Sequence, residues 1–305
     1  MLAHRLLSAA ILIGSILTLI FLDAYYPLLE VPGLWLAPAM FFLACGTAWE
    51  FTSLTASLSK IPAWIGAMFT FSVVAIAMVP LVTPVFTENP GWIADRWGNG
   101  PTLQWLALGL LFALMVSSTY TLVTSENTQV NPLFQWSCLS LITVYCGGLG
   151  AMWIAIRLQR SPNEALLALI GISTVVKSSD AGAYFVGKSL GRTKLCPHIS
   201  PGKTIEGALG GFAIAMIVAI VFFQFFLPAV VFNRSILPLW GPAALGLILG
   251  VVGLIGDLVE SMIKRAAGTK DSGALLPGLG GIWDVTDSLL PTTVVGYLGM
   301  VAGWI

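Results

Sequence analysis

The sequence predicts an all-α, polytopic integral membrane protein with about nine transmembrane helices, and three observations predict it. Only 9% of the 305 residues are charged, against roughly 25% in an average soluble domain. Of the chain, 57% is hydrophobic, with a mean hydropathy of +0.91. Apolar stretches recur at about the 20-residue length that a helix needs to cross the hydrocarbon core. Between them stand breakers such as Thr87-Glu88-Asn89-Pro90, Asn99-Gly100-Pro101 and Ser161-Pro162-Asn163, with Trp92, Trp97 and Trp105 suited to an interfacial belt.

In order, the spans are expected near residues 5–23, 31–54, 62–86, 102–124, 134–157, 164–187, 204–227, 238–261 and 287–304. The first resembles a signal peptide in composition, but Asp23 and Tyr25-Tyr26 follow it with no small-residue cleavage site. It reads as a retained span. Residues 1–160 read as a scaffold of transmembrane helices and 161–305 as a transmembrane catalytic region, without internal repeats or low-complexity segments.

Lys plus Arg equals Asp plus Glu at 14 each, so no global field recruits nucleic acid, and any electrostatic function is local. Cys45, Cys138, Cys146 and Cys196 form no C-x-x-C pair, which suggests neither a thiol metal site nor a disulfide framework. Alternation of spans puts the loop after the sixth and the loop after the eighth on one face. The first holds Lys188, Arg192, Lys194 and Lys203 and the second Lys264, Arg265 and Lys270, so the positive-inside rule makes that face cytoplasmic. Arg5 and Lys60 agree, whereas Arg157 and Arg160 fall on the other side.

Carboxylates cluster more sharply still. Asp257, Glu260, Asp271, Asp284 and Asp287 lie near the C-terminus, and Asp180 and Glu206 flank the earlier basic loop. Asp257, Glu260, Ser261 and Lys264 are spaced i, i+3, i+4 and i+7, which lines them along one helix face. Asp284 and Asp287 form a second i, i+3 pair. Ionisable groups in membrane helices are costly unless they meet protein, water or a cation. Hard cations such as magnesium take oxygen ligands and bind substrate phosphates, while Lys and Arg neutralise phosphate oxygens. Glycines at 278, 280 and 281 let backbone amides approach an anion. Ser200-Pro201-Gly202-Lys203-Thr204 lacks the first glycine of a Walker A loop, Pro197 standing in its place. Opening a helix, it still aims amides, a hydroxyl and an ammonium at one point, as a phosphate requires. His198 beside it reads as a solvated loop histidine.

At these residues the sequence resembles the phosphatidate cytidylyltransferases, or CDP-diacylglycerol synthases. The resemblance rests on Ser261, Lys264-Arg265, Lys270-Asp271, Gly273, Leu276-Pro277, Gly280-Gly281, Asp284, Thr286 and Asp287, and upstream on Asp180, Lys194-Leu195, Ser200-Pro201, Lys203-Thr204 and Glu206-Gly207. It is strong over roughly residues 170–305. Two positions depart from the family signature: Leu279 stands for its histidine and Val285 for its arginine.

The resemblance implies transfer of CMP from CTP to phosphatidate, a membrane lipid, at the cytoplasmic face of a bacterial-type inner membrane, with release of pyrophosphate. It implies Asp257 and Asp284 as leading metal ligands with Asp287 in support, magnesium with a potassium ion nearby, and a homodimer. Ser261, Lys264, Arg265 and Lys270 become phosphate contacts, with Lys264 counted in the catalytic set. Ser200, Lys203 and Thr204 are assigned to CTP phosphates or the lipid headgroup, undivided between the two, and Asp180 and Glu206 to orienting these groups. Asp271 is either part of the site or a structural partner of Lys270 or Arg265. The competing readings are a CTP-dependent lipid kinase, a cytidylyltransferase for another lipid phosphate, a transporter, and a non-catalytic homologue.

Overall fold

A computed structural model describes residues 2–86, 101–125, 130–159, 161–231, 238–276 and 280–305. The breakers at 87–90 and at Asn99-Gly100, Trp92, Trp97, Arg160, Pro277, Gly278 and Leu279 lie outside the described residues.

The helices are α1 (Leu2–Tyr25), α2 (Ala37–Ser59), α3 (Ala63–Ala77), α4 (Val79–Phe86), α5 (Pro101–Ser125), α6 (Pro132–Arg157), α7 (Pro162–Leu190), α8 (Ile205–Val230), α9 (Trp240–Ala266), α10 (Trp283–Thr286) and α11 (Leu289–Val301). A short antiparallel hairpin, β1 (Lys194–Cys196) with β2 (Ser200–Thr204), joins α7 to α8. Among the described residues, α5 to α9 are long and apolar enough to cross a membrane. The protein is an all-α integral membrane protein.

The expected spans fall on helices throughout, with two differences. The span near 62–86 is two helices that meet at Met78, because Pro80 has no amide hydrogen and its ring crowds the turn before it. The last helix begins only at Leu289, since Asp287 and Ser288 form a turn in which the Ser288 amide donates to Asp287 Oδ1 at 2.6 Å. Its 13 residues span about 20 Å, short of a hydrocarbon core of about 30 Å.

The chain forms two compact units. The first holds Met1–Leu158 with Asp271–Thr286, and the second holds Gln159–Lys270 with Asp287–Ile305. The stretch 271–286 was expected with the C-terminal region, but in the structure it belongs to the first unit. The reason is chemical: its amides find their acceptor on α2, as described below.

Within the first unit, Arg157 is not a loop charge. It is buried, with its guanidinium 2.7 Å from Asp23 Oδ2, and Asp23 Oδ1 also accepts from the Gly33 amide. The position of Arg157 follows from that pair.

Within the second unit, small residues set how closely helices approach. Lipid is as apolar as a side chain, so packing rather than expulsion from water holds such helices together. Gly207 and Gly211 of α8 face Ser179, Ala183 and Gly187 of α7. A methyl group at Gly207 would lie 2.7 Å from the Ala183 carbonyl oxygen, and one at Gly211 would lie 2.8 Å from that of Ser179. Gly246 of α9 comes as close to Ala215 of α8. These crossings hold the polar ends of α7, α8 and α9 at fixed separations.

Candidate active site

Helix α9 carries the face expected from its spacing: Glu260, Ser261 and Lys264 are buried and Asp257 is half-buried. Gly256 lets the next polypeptide segment in, since a side chain there would meet the Asp287 carbonyl oxygen and Pro291. One carboxylate oxygen each from Asp257, Glu260 and Asp287 lies within 4.8 Å of the others, so the three residues can hold a metal ion. At that spacing each pair of like charges repels by about 3 kcal/mol at an effective dielectric near 20. Positive charge must therefore accompany them.

Lysines supply it. Lys203 of β2 places its Nζ 2.6 Å from Asp257 Oδ2, and Lys264 places its Nζ 2.9 Å from Glu260 Oε2. Lys177 of α7 donates to Ser288 Oγ at 2.9 Å and lies 3.5 Å from Asp180 Oδ2 and 3.9 Å from Asp287 Oδ1. Ser288 Oγ in turn donates to Asp180 Oδ2 at 3.0 Å. The donor set for a cation is all carboxylate, which suits a hard ion that prefers oxygen.

The remaining residues of the basic loops divide by task. Thr204 caps α8, its Oγ1 accepting from the Gly207 amide, and Glu206 accepts from the amides of Arg192 and Thr193. Both therefore hold the hairpin on its helix, which places Lys203. Ser200 begins β2 and is half-buried, and His198 is exposed at the hairpin turn. Ser261 Oγ lies 3.4 Å from Asp257 Oδ1. Arg265 donates to the carbonyls of Ile199 and Thr269, which braces the hairpin against the end of α9, while Lys270 and Asp271 are exposed.

In the first unit the signature loop is built around two carboxylates. Glu50 of α2, buried, accepts from the amides of Ile282 and Trp283 at 2.9 Å each and from Ser272 Oγ at 2.8 Å. Asp284 Oδ2 accepts from the Gly281 amide at 2.7 Å, from the Ser272 amide at 3.1 Å and from Ser272 Oγ at 2.9 Å. The Ser272 hydroxyl has one hydrogen, shared between the two acids. The anion that the Gly281 amide approaches is thus Asp284 of the same loop. Gly280 has φ +97°, a conformation that side chains avoid, and a side chain at Gly281 would strike Ser272 and Glu50. Trp283 is buried, stacked on Phe51 with ring centroids 4.3 Å apart.

Sequence reasoning missed Glu50, Lys177 and Ser288, and placed Glu260 on the face without a role. A signal existed for two of them: Glu50 is the one charged residue of the expected span near 31–54, and Lys177 lies deep in the span near 164–187, three residues before Asp180.

Long apolar helices bearing a carboxylate cluster bordered by lysines define a membrane protein with a candidate site for cations and anionic groups. Comparison with known proteins makes this specific. The chain belongs to the cytidylyltransferase family, which it matches over residues 3–302, and is a nucleotidyltransferase. It is 31% identical to the phosphatidate cytidylyltransferase of Haemophilus influenzae over 304 residues, 95% of each chain. It is 38% identical to that of Bacillus subtilis over 180 residues, 59% of this chain and 62% of that protein. With that of Staphylococcus aureus it shares 37% over 192 residues, 63% of this chain and 68% of that protein.

Proposed function

We infer that this chain is a CTP:phosphatidate cytidylyltransferase, which makes CDP-diacylglycerol and pyrophosphate for phospholipid biosynthesis. The observation that carries the reading is the group Asp257, Glu260 and Asp287, with oxygens within 4.8 Å, in a chain that matches the family from end to end.

The reaction asks little covalent chemistry of the protein. A phosphate monoester oxygen of phosphatidate attacks the α-phosphorus of CTP, the bond to the β-phosphate bridging oxygen breaks, and pyrophosphate leaves. That nucleophile is competent at neutral pH, so the enzyme has to align two polyanions and offset their charge. Asp257, Glu260 and Asp287 are the residues that would hold magnesium, which when bound supplies charge neutralisation for the triphosphate. Lys203 and Lys264 each already sit on one of these acids. Once the charge of these acids was offset, the ammonium groups of Lys203 and Lys264 would bind phosphate oxygens. Ser261, Arg265 and Lys270 border the same end of α9, and Ser200 and Thr204 the hairpin that carries Lys203.

The metal role that the signature implies for Asp284 is proposed alongside its bonds to Ser272 and Gly281. Asp284→Asn tests it: loss of turnover in a protein that still folds supports the role, and full turnover removes it. The homodimer and the cytoplasmic orientation are finer parts of the same proposal. Cross-linking in membranes and labelling of a hairpin cysteine by a membrane-impermeant reagent address each in turn.

The deciding experiment follows α-labelled CTP in proteoliposomes containing phosphatidate. Label in the lipid with stoichiometric pyrophosphate is expected. Release of CDP with unlabelled lipid would instead indicate a kinase, and no turnover at all would overturn the reading.

A further inference from the structure

Lys177 stands apart from the other lysines of the acidic centre. It lies mid-helix in α7, which is apolar and long enough to cross a membrane, where an ammonium is costly unless anions or water face it. Lys203 and Lys264 make short ion pairs, at 2.6 Å and 2.9 Å. Lys177 instead spreads its charge over three oxygens: Ser288 Oγ at 2.9 Å, Asp180 Oδ2 at 3.5 Å and Asp287 Oδ1 at 3.9 Å. The hydroxyl is oriented for this. Ser288 gives its only hydrogen to Asp180 Oδ2 at 3.0 Å, so a lone pair faces the ammonium.

One hydroxyl and two carboxylates around a single positive charge are the surroundings that an oxygen-lined site offers a monovalent cation. An ammonium group fits such a place because it resembles potassium in size and charge. The side chain remains 42% exposed, so the charge faces the space beside Asp287 rather than being sealed by its acids. We propose that Lys177 is a tethered monovalent cation of the acidic centre: it holds a permanent positive charge beside Asp287 and relieves this enzyme of any need for a free one. The inference rests on the reading of Asp257, Glu260 and Asp287 as the cation-binding group.

The test uses full-length protein in phosphatidate-containing liposomes at saturating magnesium. Transfer of CMP and thermal melting are both measured in matched potassium, ammonium and tetramethylammonium chloride. Wild-type turnover and melting midpoint should be the same in all three salts. Lys177→Ala should lose roughly 100-fold or more in turnover in tetramethylammonium, the scale of deleting one preorganised electrostatic contact. Potassium or ammonium should restore most of it and raise the melting midpoint of the variant alone, because only the variant has room for the ion. Lys177→Ser, which leaves room for an ion beside a polar hydroxyl, serves if the alanine variant does not fold, and should behave in the same way.

Three results would overturn the proposal: a wild type activated by potassium, a folded Lys177 variant with undiminished turnover, or a loss that neither ion restores. A wild type that transfers no CMP in any salt would instead strike the underlying assignment of function.

Discussion

Glu50 offers the sharpest test of how the signature loop is built. Replacing it by alanine removes one acceptor from three donors at once: the Ile282 and Trp283 amides and the Ser272 hydroxyl. Ser272 retains Asp284 as an alternative, at 2.9 Å, whereas these two amides lose their bonds to Glu50 outright. A buried donor left unsatisfied costs about 1–3 kcal/mol, so with two amides orphaned the variant should lose about 2–6 kcal/mol. For a chain of this size that lowers the melting midpoint by on the order of 10 °C. Glu50→Gln retains a carbonyl oxygen but points an amide donor at other donors, so an intermediate loss is expected. Melting of detergent-purified protein gives the magnitude, and limited proteolysis between Asp271 and Thr286 shows whether the loss is local. Wild-type melting together with wild-type protection of that stretch in Glu50→Ala would refute the reasoning.

Three further outcomes are expected. Gly256→Ala puts a methyl group against the Asp287 carbonyl and Pro291, so CMP transfer should fall at least tenfold, about the 1.4 kcal/mol of a modest displacement. Gly253→Ala, whose nearest neighbour is 3.4 Å away, should stay close to wild type in the same assay. Asp257→Asn removes one of three clustered charges. Its half-saturating magnesium concentration should rise by roughly 100-fold, from an interaction of about 3 kcal/mol, as measured by turnover against magnesium. Breaking the buried Asp23–Arg157 pair by Arg157→Met should cost about 3–5 kcal/mol in melting experiments, and adding Asp23→Leu should recover most of it, because the penalty is that of an isolated buried charge.

Much of the fold was legible because a bilayer imposes one simple rule on sequence: about 20 apolar residues per crossing and breakers between crossings. The α9 face was legible for a similar reason. Asp257, Glu260, Ser261 and Lys264 are neighbours on any helix, whatever surrounds it. The exceptions are local rules that composition hides. Pro80 divides one apolar run into two helices, and the Asp287–Ser288 turn delays the start of α11.

What the sequence could not show were partnerships between distant residues. Asp23 and Arg157, Glu50 and Ile282, Lys203 and Asp257, and Lys177 and Ser288 have no periodicity linking them, and only the folded chain pairs them. By itself the sequence determined the class of protein, the family and the helix that bears the acidic face, because these depend on composition and on spacing within single elements. The tertiary structure alone decided that Glu260 joins Asp257 and Asp287, that Glu50 anchors the loop of Asp284, and that Lys177 faces Asp180 and Asp287. A buried charge takes whichever partner the packing of other helices brings within reach, and that choice is written in no single stretch of chain.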